Sequence, residues 1–169
     1  SIGDGALLDY IKQQFKAFAI PPSLICFEIT ETSAISNLGS AIRFINELKA
    51  LGCQFSLDDF CAGMSSFAYL KHLPVDYLKI DGGFVLDMLD NPINRAMVEV
   101  INHIGHVMGK RTIAEFVETP QIELALREIG VDYAQGYLIE RPQPFTCESL
   151  HPRPARAIPL LFSTPGTFR

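Results

Sequence analysis

Ionisable and polar side chains recur in this sequence at the points where predicted buried strands end. In chain order these strand-end residues are Glu28 with Glu31, Asp58 with Asp59, Lys79 with Asp81, Glu115 with Glu118, and Gln135. Carboxylates that converge from three strands repel one another, so cations are needed to balance them. Hard divalent ions such as Mg²⁺ or Mn²⁺ prefer such oxygen ligands. The residues alone therefore predict a metal-dependent site for a phosphate ester.

Strand and helix periodicities alternate along the chain and place these residues in a common frame. Five strands are predicted, beginning near Leu24, Gln54, Tyr77, Arg111 and Val131. A helical pattern precedes the first strand, and further helical patterns separate the later ones. This order predicts a parallel sheet in an α/β fold. In a (β/α) barrel the carboxyl ends of the strands meet at one rim, where active sites lie.

Apolar spacing and capping residues define the expected helices. The longest predicted helix begins at Asn91 and Pro92, ends at Gly109 and has an apolar stripe of Ile93, Met97, Val100 and Ile104. An earlier helix, predicted after Ser36 or Asn37, has the stripe Ala41, Ile45, Leu48 and Leu51. Short helices are also expected over 65–72 and after Thr119 and Pro120.

Composition narrows the class of function. The chain has 169 residues and a formal net charge of -5, which argues against DNA or RNA as a partner. Its cysteines lack C-x-x-C spacing, so we expect no disulfides and a cytoplasmic location. No apolar run has the length of a membrane span, so no direct membrane contact is expected. The chain could still be the cytoplasmic part of a membrane-anchored protein.

Five segments of the sequence closely resemble the EAL family. They are Phe27–Glu31, Leu57–Phe60, Leu73–Asp81, Thr112–Thr119, and Gln135–Tyr137 with Arg141–Pro142 after it. We interpret residues 1–145 as the C-terminal portion of an EAL domain and 146–169 as a proline-rich tail. The resemblance implies an incomplete TIM-like (β/α) barrel. It also implies a phosphodiesterase that hydrolyses cyclic di-GMP to linear pGpG with two Mg²⁺ or Mn²⁺ ions.

The resemblance assigns a role to each matching residue. The metal ligands would be Glu28, Asp58, Asp59 and Glu115. Lys79 would orient or polarise the attacking water, Glu115 would also hold the water shell of a metal, and Gln135 would support water or substrate. Glu31 would anchor the segment that follows Asp59. Glu118 would lie behind the metal ligands or beside the substrate.

Two departures from the family pattern bear on activity. The Glu-Ala-Leu motif and the Asn-x-Ser strand of the family precede the matched region and are not present, so the first three barrel strands and two metal-site residues are expected to be missing. Cys61 replaces a family glycine, which restricts the backbone after Asp59. We therefore expect impaired hydrolysis. The alternative is a degenerate EAL domain that acts as a cyclic di-GMP receptor or a protein-interaction module.

Ordinary structural roles compete with the functional ones at single positions. Asp58 and Asp59 could form a turn or helix cap, Lys79 could pair with Asp81, and Glu118 could be a first-turn helix acid. Only the joint pattern favours the functional interpretation. An incomplete barrel would expose two strand edges, so a homodimer is expected. The longer protein is expected to contain a sensory or diguanylate cyclase domain.

Overall fold

Five parallel strands form one sheet in the order β1–β2–β3–β4–β5. The computed structural model describes residues 5–61 and 68–142. The strands are β1 (Cys26–Thr30), β2 (Gln54–Phe60), β3 (Tyr77–Ile80), β4 (Arg111–Ala114) and β5 (Tyr133–Ala134). Each strand pairs with the next one along the chain, so β1 and β5 are the edges of this sheet. The five-stranded parallel sheet confirms the α/β prediction and forms an incomplete (β/α) barrel.

Helices connect the strands and are capped largely as expected. They are α1 (Gly5–Ala17), α2 (Glu31–Ser36), α3 (Leu38–Lys49), α4 (Gly82–Leu86), α5 (Pro92–Val107) and α6 (Pro120–Ile129). The side chains of Asn37, Asn91 and Thr119 accept backbone N–H bonds at the starts of α3, α5 and α6. Gly130 ends α6 in the left-handed conformation, with φ 85°. Within the described ranges, no helix has the length and apolar character needed to cross a membrane.

The two faces of the sheet differ because side chains alternate along each strand. Leu57 and Leu78 are fully buried, on the face that packs against helices such as α3 and α5. Asp58 and Lys79 follow them by one residue and therefore point to the opposite, polar face. The apolar face supplies most of the core, and the polar face supplies the candidate site.

A second polar layer lies on the same face, near the amino ends of the strands. The Arg111 guanidinium stands 5.0 Å from the ring centre of Tyr77 and 5.7 Å from that of Tyr133. It also donates a hydrogen bond of 2.7 Å to the Tyr133 hydroxyl. These contacts connect β3, β4 and β5 below the rim, and so help to hold the strands whose ends carry Lys79, Glu115 and Gln135.

The predicted apolar stripe of α5 is wrong at two of its four positions, whereas Ile104 packs against the core as predicted. Ile93 is 71% exposed and Val100 is 47% exposed. The residues buried against the sheet are instead Val98, Ile101, Asn102 and Gly105. The spacing of hydrophobic residues did not predict this face, because two of its four residues are a polar asparagine, Asn102, and a glycine, Gly105.

Specific contacts explain how Asn102 and Gly105 occupy that interface. Asn102 accepts a hydrogen bond of 2.6 Å from the Thr112 hydroxyl and donates one of 3.2 Å to the Ile129 carbonyl. A Cβ at Gly105 would lie 2.9 Å from the Thr112 methyl group, so glycine lets α5 approach β4 closely. The hydrogen bonds of Asn102 and the close approach at Gly105, together with the burial of Val98 and Ile101, set the orientation of α5.

Several element boundaries also differ from the prediction. β1 begins at Cys26 because Pro22–Leu24 form a 3₁₀ turn. β5 is only two residues long, since the chain turns at Gly136, whose carbonyl accepts bonds from the Ile139 and Glu140 N–H groups. Of the short helix expected over 65–72, residues 68–72 form turns and 65–67 lie outside the described residues. The predicted tail at 146–169 also lies outside them.

Candidate metal centre

Lys79 connects the ends of three strands through ion pairs. Its Nζ lies 3.1 Å from Glu28 Oε2, 2.8 Å from Asp58 Oδ1 and 2.6 Å from Glu115 Oε1. The lysine side chain is only 4% exposed. An ammonium with so little water around it depends on these carboxylates for stabilisation. The structure therefore brings together four of the predicted site residues.

The structural alternatives weighed for Asp58 and Asp59, for Lys79 and for Glu118 are wrong. Asp58 and Asp59 lie inside β2, not in a turn or at a helix cap. Asp81 caps α4, because its Oδ1 accepts a bond of 2.8 Å from the Gly83 N–H. Glu118 precedes Thr119, the N-cap of α6, and so lies outside the first helical turn.

Carboxylate oxygens of Asp58, Asp59 and Glu115 converge in one cluster, within 4.8 Å of one another. Asp58 Oδ1 is buried and has no hydrogen bond of good direction among the described residues, although the Lys79 ammonium lies 2.8 Å away. A donor set made only of oxygens, with an acceptor left incompletely satisfied, fits a hard divalent cation. Glu28 contacts this group through Lys79.

An irregularity in β2 allows adjacent aspartates to reach the same cluster. In a regular strand Asp58 and Asp59 would point to opposite faces. Here the pairing of β2 with β3 shifts register between Leu57 and Phe60, and Asp59 adopts φ 54°. The bulge therefore turns the second carboxylate toward the first. Strained backbone of this kind is frequently found at functional sites.

Cys61 also adopts the left-handed conformation, with φ 68°. This is the position where the resembling family has glycine, and a side chain there costs about 1–2 kcal/mol. Burial, followed by the nearby Glu31 carboxylate, raises the pKa of the Cys61 thiol to about 12. The thiol is therefore protonated at neutral pH and is a poor nucleophile. The rest of the altered segment, residues 62–67, lies outside the described residues.

Opposing effects set the charge states of Lys79 and Glu115. Burial by itself would lower the pKa of Lys79, but the contacts with Asp58, Glu115 and Glu28 outweigh it and raise that pKa. In these contacts Lys79 is therefore a cation, and it can orient or polarise a water molecule. Burial raises the pKa of Glu115, and the charges of Asp58 and Asp59 add to the rise, while Lys79 opposes it.

Glu31 is buried, at 4% exposure, and lies behind the cluster. Its Oε2 accepts a bond of 3.1 Å from the Cys61 N–H, and its Oε1 accepts a bond from the Tyr69 hydroxyl. Tyr69 was not among the predicted site residues. It does not end a strand, and no spacing in the sequence relates it to Glu31.

Gln135 and Glu118 lie beside the cluster and do not join it. Both are exposed, and both line a cavity together with Glu115, Phe116 and Tyr137. The Gln135 N–H donates to the Ala114 carbonyl at 2.8 Å, and its carbonyl accepts from the Val117 N–H at 3.0 Å. A Cβ at Gly136 would lie 2.3 Å from Val117 N. Glycine at this position thus allows the segments after β4 and β5 to meet.

Comparison with known proteins identifies relatives of this arrangement. The family model described as "EAL domain" matches residues 1–142. A cyclic di-GMP phosphodiesterase, PdeB of Shewanella oneidensis, is 46% identical over 158 residues, which cover 92% of this chain and 18% of the relative. The bifunctional diguanylate cyclase/cyclic di-GMP phosphodiesterase MucR of Pseudomonas aeruginosa is 33% identical over 82% of this chain and 20% of the relative.

A solved structure shares the fold. The PaMucR phosphodiesterase in complex with cyclic di-GMP superimposes with a TM-score of 0.81 at 32% identity, and the match covers 88% of this chain and 60% of the solved chain. This chain thus spans about a fifth of the length of these two curated relatives.

We predict that Glu115→Gln stabilises the fold at neutral pH. The raised pKa of Glu115 means that folding favours its protonated form. The contribution of Glu115 to the free energy of unfolding is therefore complete at a pH below its ordinary pKa. It is lost as the pH rises through the higher pKa that Glu115 has in the folded protein. A neutral glutamine should therefore raise the free energy of unfolding at pH 7, and this gain should disappear toward pH 4.

Urea denaturation at both pH values measures the effect. Glu128→Gln is the matched control, because the Glu128 side chain is 61% exposed and its substitution should change stability little at either pH. A Glu115→Gln variant that is less stable than the wild type at pH 7 would contradict the prediction. In that case the pairing with Lys79 would outweigh the burial of the charge.

Proposed function

Because this chain belongs to the EAL domain family, we propose that it is a metal-dependent phosphodiesterase that hydrolyses cyclic di-GMP to linear pGpG. The observation that carries the proposal is the contact of Lys79 with carboxylates from three strand ends. Names of curated relatives support the substrate. A strongly acidic rim would repel a dianionic cyclic dinucleotide, so the substrate requires bound cations to approach it.

The proposed metal ligands are the clustered carboxylates of Asp58, Asp59 and Glu115, with Glu28 at the side of Lys79. Divalent ions, Mg²⁺ or Mn²⁺, held there would activate water and neutralise phosphate charge. Asp58, which touches Lys79 and also belongs to the cluster, would hold a cation beside that lysine.

The remaining residues would position the reactants. The Lys79 ammonium would orient the attacking water through hydrogen bonds. In the reaction the attacking water loses a proton as its oxygen bonds to phosphorus, one ester P–O bond breaks, and the leaving ribose oxygen takes up a proton. Gln135 and Glu118, which line the adjoining cavity, would contact water or substrate. Glu31 would hold the backbone after Asp59 through the Cys61 N–H.

One observation favours the alternative of a receptor without catalytic activity. Cys61 occupies a left-handed position where glycine would be less strained. Strain at that point could displace Asp59 and weaken one metal position while the substrate cavity remains. The sequence-based expectation of impaired hydrolysis therefore stays a prediction.

We predict slow, Mn²⁺-dependent formation of pGpG when this chain is incubated with cyclic di-GMP. Chromatography measures the product, and the rate should be lower than that of Shewanella PdeB assayed in parallel. Lys79→Ala should reduce the rate by about 10²–10³-fold, because the oriented water and a charge at the reacting centre are lost. The matched control is Lys71→Ala, at an exposed lysine, which should keep the wild-type rate.

A measurement of cyclic di-GMP binding separates failure of the hydrolase proposal from failure of both proposed functions. Cyclic di-GMP that binds to the chain in calorimetry, with no product formed, would contradict the hydrolase and support the receptor. Failure to bind the nucleotide at all would contradict both functions.

We further propose a homodimer, within a longer cytoplasmic protein that has a sensory or diguanylate cyclase domain. The relative MucR combines a cyclase with a phosphodiesterase by name, and Cys26, Cys53 and Cys61 are free thiols. Two features support self-association. The outer edges of β1 and β5 pair with no further strand within residues 5–61 and 68–142, and α5 exposes Ile93, Val100 and Val107.

Light scattering at micromolar concentration tests the dimer. The chain should have about twice the monomer mass, and Val100→Glu should shift it toward the monomer if α5 forms the interface, whereas Leu124→Glu, at an exposed α6 position, should not. A stable monomeric wild type would contradict the proposal.

A further inference from the structure

The hydrogen bonds of Glu31 lie on both sides of residues 62–67. Cys61, whose N–H donates to Glu31 Oε2, precedes that segment. Tyr69, whose hydroxyl donates to Glu31 Oε1, follows it. One buried carboxylate at the start of α2 therefore holds two points of the chain after β2.

The backbone at Asp59 depends on such outside support. β1 pairs with β2 only as far as Asp58, and the pairing of β2 with β3 shifts between Leu57 and Phe60. Asp59 and Cys61 both have positive φ, at 54° and 68°. The ladder resumes at Phe60, opposite Ile80, so the sheet holds the chain on both sides of Asp59 but pairs with neither neighbour at Asp59 itself. The bond from the Cys61 N–H to Glu31 is a further constraint, directly after Phe60.

We propose that Tyr69 is a positioning residue of the metal centre, whose hydroxyl orients Glu31 so that Glu31 holds the Asp59–Cys61 backbone in its ligand geometry. This inference rests on the proposed function, since it assumes that Asp59 binds a metal ion. Tyr69 does not touch the cluster itself and acts through Glu31.

Burial explains why the hydroxyl matters. Glu31 is 4% exposed, so a carboxylate oxygen that loses its donor cannot easily be satisfied by water. Without the Tyr69 hydroxyl, Glu31 would gain by rotating or by drawing in solvent, and either change weakens its bond to the Cys61 N–H. Burial, followed by the hydrogen bond to Glu31, also raises the pKa of Tyr69, so the hydroxyl remains a donor at all physiological pH values.

Tyr69→Phe in the full 169-residue chain tests the inference, because it removes one oxygen and keeps the ring. Two readouts do not need turnover: calorimetric affinity for Mn²⁺ alone, and hydrogen exchange of a peptide that contains residues 59–61. Mn²⁺ affinity should fall about tenfold, as expected for the loss of one hydrogen bond to a charged group, and exchange should accelerate. Tyr10→Phe, at a tyrosine that is 58% exposed, should change neither.

A double-mutant cycle with Glu31→Gln separates positioning from a general structural role. If Tyr69 acts through Glu31, the double variant should lose no more Mn²⁺ affinity than Glu31→Gln alone. Additive losses would overturn the inference, as would an unchanged Mn²⁺ affinity in Tyr69→Phe, with or without faster exchange. If wild-type protein binds Mn²⁺ with this dependence on Tyr69 but forms no pGpG, the proposed hydrolase fails while the positioning role stands.

Discussion

The contact between Lys79 and its three carboxylates is the interaction on which the rest of the site depends. A buried ammonium is stable only where opposite charge surrounds it, and Glu28, Asp58 and Glu115 can converge only if their strands run parallel and end at one rim. The charges do not balance, because one ammonium faces three carboxylates and Asp59 adds a fourth beside Asp58 and Glu115. The site is therefore built with excess negative charge, which is the condition for binding divalent cations.

The sheet brings these charged side chains together because one of its faces is apolar and the other is polar. Leu57 and Leu78 bury one face under the helices, and their neighbours Asp58 and Lys79 necessarily project to the other. In a regular strand the adjacent side chains of Asp58 and Asp59 would point to opposite faces. Both reach the same face because β2 is irregular at that point. Pairing resumes at Phe60, and the next residue, Cys61, donates its N–H to the buried Glu31 outside the sheet. Packing, strand irregularity and the support of Glu31 thus act together to place the carboxylates.

Much of this arrangement could be predicted from sequence, because it follows from local signals. Strand-end carboxylates and helix caps such as Asn91 have residue-type signatures, and the parallel order follows from alternation. The orientation of α5 could not be predicted, since Asn102 and Gly105 face the sheet for reasons of hydrogen bonding and close approach. Nor could Tyr69, because its contact with Glu31 spans 38 residues of chain and no periodicity relates the two positions.

Crystals of the chain soaked with Mn²⁺ would test the central claim most directly, by anomalous diffraction. The account predicts an anomalous peak within coordination distance of Asp58, Asp59 and Glu115, with Lys79 still beside Asp58. No peak at these carboxylates at millimolar Mn²⁺, with Lys79 as their only cationic partner, would contradict it. The cluster would then be a charge network that stabilises the sheet, and the case for metal-dependent hydrolysis would be lost.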